Sequence, residues 1–211
     1  MLKRIPHSDL VIIEGEKKTK DYLKMQKAMG KFYLNDFFAK FDIINSNGRF
    51  LEVGPGTGYQ TVLVSEKYKP KEIIGLEYSS DMVKVATKYT EQKKLTDRIK
   101  YIVGSVENSD LVLSLGKFDI IYSTFSLHHW TDPKTGIKNL YNALDDNGVL
   151  FIYDFHREGL FYYINIKRGV WESIRASYTE EEIIKLLSEL SIQNYIIRKK
   201  SLYLDFIVIK N

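Results

Sequence analysis

Cysteine is absent from the 211 residues of this chain, and proline occurs only four times. Without cysteine the protein has no disulfide, no thiolate ligand for zinc and no cysteine nucleophile. No stretch is apolar over the length that a membrane-spanning helix needs. The first ten residues, MLKRIPHSDL, also lack the apolar core of a signal peptide. We therefore expect a cytoplasmic protein without a membrane span.

The remaining composition is typical of a globular protein. Hydrophobic residues make up 44% and charged residues 27% of the chain, and the net charge is +4. A chain of this length folds as one domain with a sizeable core. A zinc finger and a basic arm are both missing from the sequence, so we expect no specific nucleic-acid partner.

The most informative segment is Phe50–Thr61, FLEVGPGTGYQT. It begins as a short buried strand, and Gly54, Gly56 and Gly58 follow before a helical pattern starts. Glycine is needed in such a turn because a Cβ would clash with a ligand or forbid the required φ. Glu52 precedes the glycines, and no basic residue occurs in the next fourteen positions. This arrangement disfavours a phosphate and suits a cationic ligand.

The segment resembles motif I of the class I S-adenosylmethionine-dependent methyltransferases, whose cofactor carries a sulfonium and an amino group. The resemblance extends over about residues 45–211 and includes the fourth strand, FDIIYSTFSLHHW. It implies S-adenosylmethionine as the cofactor and a small-molecule acceptor, as in quinone biosynthesis. It divides the single domain 1–211 into a helical lid (1–44), a cofactor-binding core (45–154), an insertion near the substrate (155–178) and a C-terminal helix with a β-hairpin (179–211).

Glu77 is the next candidate for cofactor binding. It ends the apolar run IIGLEYS, 23 residues after Gly54. A spacing of about 20 residues places a carboxylate on the ribose hydroxyls in dinucleotide-type folds. In the resembling family, the residue after this acid and one on the following helix enclose the adenine. These positions correspond to Tyr78 and Met82, for which core packing is the alternative.

The third and fourth strands end in further candidates. The third strand leads into a turn with Ser105, Val106 and Glu107. The family usually has Asp at the position of Ser105, where it accepts a hydrogen bond from the adenine amino group. Serine accepts more weakly, and Glu107 or a backbone carbonyl is the alternative. Ser123, at the tip of the fourth strand, completes the predicted cofactor contacts.

The order of strands and helices predicts the fold. Apolar strands separated by helices indicate a parallel sheet covered on both faces. Two runs near the C-terminus, Gln193–Lys199 and Leu202–Lys210, predict a hairpin. The resemblance implies a doubly wound α/β domain whose seven-stranded sheet is mostly parallel, with only the last strand antiparallel.

The N-terminal segment 14–41 has a helical pattern, and Gly30 predicts a break into two helices. In the resembling family such a segment packs over the cofactor and substrate cleft. Tyr22 and Met25 are therefore candidates for a lid, with core packing as the alternative.

The candidates for a catalytic base are His128, His129 and Asp154. Methyl transfer depends mainly on positioning the acceptor, and it needs a base when the acceptor must lose a proton. The alternative for the two histidines is that they orient their loop. We expect no metal site, because two adjacent histidines lack a third ligand nearby. The aromatic insertion 155–178 is either a surface subdomain or the element that determines substrate specificity.

Several other functions are excluded or less favoured. The prolines are never adjacent, so the Asn/Asp-Pro-Pro-aromatic motif of amino-methylating DNA enzymes is absent. The lack of cysteine excludes the covalent route to cytosine C5. A nicotinamide-dependent oxidoreductase requires a third glycine five positions after the first, and here the distance is four. A methyltransferase acting on protein or RNA, and a noncatalytic S-adenosylmethionine-binding module, remain as alternatives.

Overall fold

A computed structural model describes residues 2–6, 15–42, 47–157, 160–163, 169–200 and 202–210. The strands are β1 (Arg49–Val53), β2 (Glu72–Glu77), β3 (Ile99–Val103), β4 (Phe118–Thr124), β5 (Leu144–Phe155), β6 (Tyr195–Lys200) and β7 (Tyr203–Ile209). The helices are α1 (Glu16–Phe41), α2 (Tyr59–Tyr68), α3 (Ser80–Gln92), α4 (Ser109–Ser114), α5 (Pro133–Ala143), α6 (Val170–Ala176) and α7 (Glu180–Glu189). Short 3-10 helices cover Leu127–His129 and Leu160–Tyr163.

The seven strands form one sheet in the order β3-β2-β1-β4-β5-β7-β6. β7 is antiparallel to both of its neighbours, and the other neighbouring strands are parallel. This arrangement confirms the predicted doubly wound sheet with its last strand antiparallel. The chain winds in opposite directions from β1 and β4, so a crevice opens at the carboxyl ends of these two strands.

Two hydrophobic clusters lie on opposite faces of the sheet. Neighbouring strand residues such as Phe50 and Leu51 belong to different clusters, as the alternation of side chains along a strand requires. One cluster includes Phe37, Val62 and Tyr89, from α1, α2 and α3. The other contains buried residues of α4, α5 and α7, namely Val112, Ile137, Leu140, Ile183 and Leu187.

The predicted break at Gly30 is wrong, because α1 is one helix of 26 residues. Gly30 is buried, and a Cβ there would lie 3.2 Å from Cε1 of Tyr59. The glycine therefore lets α1 approach the start of α2. Phe37 and Phe41 are fully buried, and this packing outweighs the cost of about 1 kcal/mol for glycine in a helix. Residue 14, at the start of the predicted segment, lies outside the described residues.

Within the segment Phe118–Trp130, the fourth strand ends at Thr124, so Ser123 lies at its tip as predicted. Phe125 then adopts a φ of +53° and turns the chain away. The sequence also gave no sign of α4, which has six residues and buries only Val112. So short a helix produces no apolar repeat that could be recognised.

Local capping signals mark the starts of three helices in the structure. The side chain of Ser79 accepts a hydrogen bond from Met82 N, and Asp132 caps α5, where Pro133 is the first residue. Thr179 and Glu182 form a complete capping box at α7. These local signals fixed the beginnings of three helices because each one satisfies backbone N–H groups that the helix leaves free.

The predicted insertion 155–178 is described except for residues 158–159 and 164–168. Arg157 is fully buried and donates to the carbonyl oxygens of Leu2 and Ser177, at 3.1 and 2.6 Å. It also forms an ion pair with Glu182 at the start of α7. This part of the insertion therefore joins the N-terminal segment and α7 to the end of β5.

Candidate active site

The glycine turn after β1 is tightly enclosed. Gly54, Gly56 and Gly58 have φ values of +71°, +57° and +74°, a region that glycine adopts without strain. A Cβ on Gly54 would lie 2.3 Å from the Ser126 hydroxyl, and one on Gly58 would lie 2.4 Å from the Tyr101 hydroxyl. Backbone conformation and space thus both require glycine at these two positions.

Glu77 holds the same turn from the end of β2. Its carboxylate accepts hydrogen bonds from the backbone N–H groups of Gly56 and Ser79, at 3.0 and 2.9 Å. Burial raises the pKa of the Glu77 carboxyl above its ordinary value, and the backbone N–H groups limit the rise. The two features predicted to bind the cofactor, the glycine turn and the acid, therefore lie in direct contact.

Glu52 lies beneath the turn in the core of the sheet. It is 2% exposed, and its Oε2 accepts a hydrogen bond of 2.9 Å from the Tyr122 hydroxyl. Burial raises the pKa of Glu52 to about 7, although hydrogen bonds from Thr61 and Tyr122 oppose the rise, and the charge of Glu77 adds to it. Glu52 is thus a buried acid that titrates near neutral pH.

Tyr78 and Met82 have different environments on either side of the Ser79 cap. Tyr78 is 50% exposed and is therefore not core, whereas Met82 is 4% exposed. An exposed ring beside the Glu77 carboxylate is available for contact with a ligand. The predicted adenine contact of these two residues stays a prediction.

The turn after β3 is held by its own hydrogen bonds. Ser105 Oγ accepts from Glu107 N at 3.1 Å, and Asn139 donates to the carbonyl oxygen of Val106 at 2.9 Å. The carboxylate of Glu107 accepts from the backbone N–H groups of Thr131 and Asp132, at 2.7 and 2.9 Å. Glu107 therefore links this turn to the start of α5, and the partly exposed Ser105 stays the candidate for the adenine.

Ser123 is fully buried, and its hydroxyl donates to the carbonyl oxygen of Val53 at 2.9 Å. This bond joins the carboxyl ends of β1 and β4, where the crevice begins. The side chain of Ser123 thus supports the crevice from below.

Asp154 and His128 form a buried pair at the ends of β5 and β4. The Asp154 carboxylate lies 2.7 Å from His128 Nδ1 and accepts from the backbone N–H groups of His128 and Phe155, at 3.1 and 2.7 Å. His128 is 2% exposed, and the rings of His128 and His129 are 4.1 Å apart between centroids. The structure brings together all three predicted catalytic candidates, and Asp154 fixes the loop that carries the histidines.

The N-terminal half of α1 covers the glycine turn. Gln26 bonds to the Thr57 hydroxyl, and Gln26 and Tyr22 are the side chains nearest to Gly56. Burial raises the pKa of the Tyr22 hydroxyl, and the charge of Glu77 adds to the rise. Met25 is 49% exposed and lies on the outer side of the helix. Tyr22 thus lies over the glycine turn, and the lid role of Tyr22 and Met25 stays a prediction. Gln26 was missed because a lone polar residue in a helical pattern gives no signal.

An aromatic cluster at the ends of β4 and β5 was also missed. Phe125 stacks on Phe155 with the ring centroids 4.5 Å apart, and its edge meets Tyr33 of α1 at 4.8 Å. Tyr203 lies 5.8 Å from Phe125 and 5.9 Å from Phe155. These residues come from α1, the turn after β4, β5 and β7, which are distant in sequence, so only the fold brings them together.

Comparison with known proteins agrees with this geometry. Residues 51–152 match the family model described as a methyltransferase domain. This segment is similar to a methyltransferase domain. It contains the glycine turn, Glu77 and the His128 loop, while α1 and β7 lie outside the match. Among the described residues, no group of three potential metal ligands comes together, and no helix has the length and apolar character to cross a bilayer.

The chain has named relatives of moderate identity. The chain is 33% identical over 136 residues to malonyl-[acyl-carrier protein] O-methyltransferase of Priestia megaterium, covering 64% of this chain and 46% of the relative. It is 31% identical over 112 residues to erythromycin 3''-O-methyltransferase of Saccharopolyspora erythraea, covering 53% and 36%. The chain thus spans less than half the length of these two relatives.

The whole fold is also found in solved structures. A SAM-dependent methyltransferase from Aquifex aeolicus superposes with a TM-score of 0.73, covering 93% of this chain and 98% of the other, at 16% identity. The architecture outside residues 51–152, including α1 and the C-terminal hairpin, is therefore also shared with the fold of that protein.

Proposed function

We propose that this chain transfers a methyl group from S-adenosylmethionine to a small-molecule acceptor. The observation that carries the proposal is the glycine turn, whose three left-handed residues are held by Glu77 and covered by Tyr22 and Gln26 of α1. The similarity to a methyltransferase domain and the named relatives support the same cofactor and reaction. The cytoplasmic setting expected from the sequence stays a prediction.

In this proposal the cofactor lies across the ends of β1, β2 and β3. Glu77 binds the ribose hydroxyls, because its carboxylate lies at the end of β2 and has acceptor capacity beyond its two backbone hydrogen bonds. Tyr78 and Met82 flank the adenine, and Ser105 and Val106 meet its edge. Glu52 lies below the glycine turn, and it favours a cationic ligand only when its carboxyl is ionised. S-adenosylmethionine, when bound, supplies an electrophilic methyl group on its sulfonium.

The acceptor then approaches from the ends of β4 and β5, opposite the cofactor. Phe125, Phe155 and Tyr203 provide an apolar surface there, and each is partly exposed. We assign Asp154 and His128 a positioning role, since the carboxylate fixes both the imidazole and the backbone of the loop. Holding the acceptor in line with the breaking bond is the main contribution such a site makes.

A second candidate acceptor is an acyl group carried by a protein. The relative from Priestia megaterium is named for malonyl-[acyl-carrier protein], and this supports including such an acceptor. A noncatalytic cofactor-binding module is the other alternative. A carrier-linked acceptor is distinguished by methyl transfer to the carrier-linked acid. A noncatalytic module is distinguished by the lack of methyl transfer to any acceptor.

The decisive experiment is calorimetric titration of the purified protein with S-adenosylmethionine and, separately, with NADH. We expect saturable binding of the first and no response to the second. Transfer of a labelled methyl group is then assayed with phenols, sugar hydroxyls, free carboxylic acids and carrier-linked acids. Failure to bind S-adenosylmethionine would sink the proposal, and binding without transfer to any acceptor would favour the noncatalytic module.

A further inference from the structure

The positive charge of this chain is concentrated in α1. The helix contains seven lysines and three acidic residues, an excess of four, and the whole chain has 31 basic and 27 acidic side chains. The rest of the chain is therefore neutral, with 24 residues of each sign. Lys17, Lys24 and Lys31, spaced by seven residues, form an exposed row along one side of the helix.

An exposed apolar ridge runs beside this row. Met25, Met29 and Phe32 are separated by four and three residues and therefore share one face of α1. Their exposed fractions are 49%, 36% and 74%. Large apolar side chains are costly to expose together, and such a patch beside lysines is typical of a helix that lies at a membrane surface.

We propose that this face of α1 docks on a membrane surface rich in anionic lipid. The lysines match the negative charge of the lipid headgroups, and juxtamembrane lysines each strengthen such binding. Phe32 projects outward from α1. Its ring can therefore insert into a deformable lipid interface, whereas a rigid protein partner would need a groove of matching shape. A second copy of the chain is disfavoured because two such helices would bring like charges together.

The docking face lies next to the candidate active site on the same helix. Tyr22 and Gln26 face the glycine turn, and Met25 and Met29 follow directly around the helix. When Met25, Met29 and Phe32 dock on the membrane, Tyr22 and Gln26 would keep their contacts with the glycine turn. The edge of the candidate active site would then lie next to the lipid. The inference goes beyond the proposed function and does not depend on it, because binding to vesicles needs no cofactor.

Sedimentation with vesicles tests the proposal on the full chain. We expect binding to vesicles of phosphatidylcholine and phosphatidylglycerol in equal parts, little binding to phosphatidylcholine alone, and release by high salt. The Lys24→Glu/Lys31→Glu variant should lower the partition coefficient about tenfold or more. The Met29→Ser/Phe32→Ser variant should lower it as well, because the ridge no longer enters the interface.

Matched controls come from the opposite face of the sheet. Leu113 of α4 is 50% exposed and Lys138 of α5 is exposed, so Leu113→Ser and Lys138→Glu should leave vesicle binding unchanged. The Phe32→Trp variant should show a blue-shifted emission on anionic vesicles, whereas Leu113→Trp should not.

Three results would overturn the proposal. In the first, the wild type does not bind anionic vesicles. In the second, it binds anionic and phosphatidylcholine vesicles equally well. In the third, the control variants lose as much vesicle binding as the Met29→Ser/Phe32→Ser variant. Self-association that the Met29→Ser/Phe32→Ser variant abolishes, seen by ultracentrifugation without lipid, would instead identify a second copy as the occupant.

Discussion

At the scale of single residues, the site is governed by two acids on neighbouring parallel strands. Glu52 pairs in register with Gly75, two residues before Glu77. Glu52 is enclosed by the core and bonded to Tyr122, whereas Glu77 faces the glycine turn and accepts backbone hydrogen bonds. The two carboxyls therefore differ in how they respond to pH and to ligands.

The stability of the protein should depend on the protonation of Glu52. The folded state keeps the proton up to about pH 7, whereas the ordinary pKa is 4.5, so rising pH between these values ionises only the unfolded chain and lowers stability. Above this window there is no further loss. We expect the wild type to lose up to about 3 kcal/mol of unfolding free energy relative to Glu52→Gln across the window. Urea titrations below, within and above it measure the difference, and a pH-independent difference would contradict a buried proton.

Glu77→Ala should weaken binding of S-adenosylmethionine by about 1.5–3 kcal/mol, the value of hydrogen bonds to a charged group. Because Glu77 also holds the glycine turn, a 2′-deoxy analogue of the cofactor separates the two effects. Loss of the ribose 2′-hydroxyl should weaken cofactor binding to the wild type, and it should change the affinity of the Glu77→Ala variant only slightly. Equal costs in both proteins would place the ribose elsewhere.

Glu72→Ala serves as the control for this measurement. Glu72 begins β2, at the end of the strand away from the glycine turn, and pairs with Arg49 and Lys100. Calorimetry should give the same cofactor affinity for this variant as for the wild type.

Several residues of the candidate site could be predicted from the sequence, whereas most contacts between them could not. Gly54, Glu77 and Asp154 are recognisable because each follows an apolar strand, and the fold places such positions at one edge. The bond between Gln26 and Thr57 and the stacking of Phe125 on Phe155 could not be predicted. They depend on the angle of α1 and on the left-handed turn at Phe125, which no local pattern specifies.

At the scale of elements, the junction between the glycine turn and α2 has no space for a side chain at Gly58. Gly58→Ala should destabilise the protein by about 2–4 kcal/mol, from left-handed strain and from the clash with Tyr101. Urea unfolding of Gly58→Ala, Tyr101→Phe and the double variant measures the coupling. We expect Tyr101→Phe to restore part of the loss, since it removes the hydroxyl that the new Cβ would meet, and strict additivity would contradict this contact.

Elements were predicted well where packing and local signals agree. The hairpin β6–β7 appears as expected, and the starts of α3, α5 and α7 are held by capping residues next to them in the sequence. The break at Gly30 was wrong because the prediction weighed the low helix propensity of glycine and could not include its approach to Tyr59. Tertiary packing overrode local preference there.

At the scale of the whole molecule, a buried ion network joins α1 to the C-terminal hairpin. Asp205 of β7 is fully buried and lies 2.6 Å from both Lys40 Nζ of α1 and Arg198 Nη2 of β6. Lys40 also pairs with Asp36 at 2.9 Å, and Tyr153 donates to Asp36 at 3.0 Å. The C-terminal half of α1 is thus fixed to the sheet, while its N-terminal half lies on the glycine turn.

Asp205→Ala should lower the free energy of unfolding by about 3–5 kcal/mol, because it leaves Lys40 and Arg198 without their shared anion. Glu189→Ala removes one acid from an exposed pair with Lys134 and should cost less than about 1 kcal/mol. Urea unfolding of both variants gives the comparison, and equal losses would contradict a buried network.

The position of β7 also affects how the protein is made. β7 follows β6 in the chain but lies between β5 and β6 in the sheet. A nascent chain that has left the ribosome up to residue 200 therefore carries β6 with no strand to pair with and β5 with one open edge. An open edge of this kind readily pairs with other chains. Emergence of the next ten residues supplies β7, which pairs with both β5 and β6 and closes this edge.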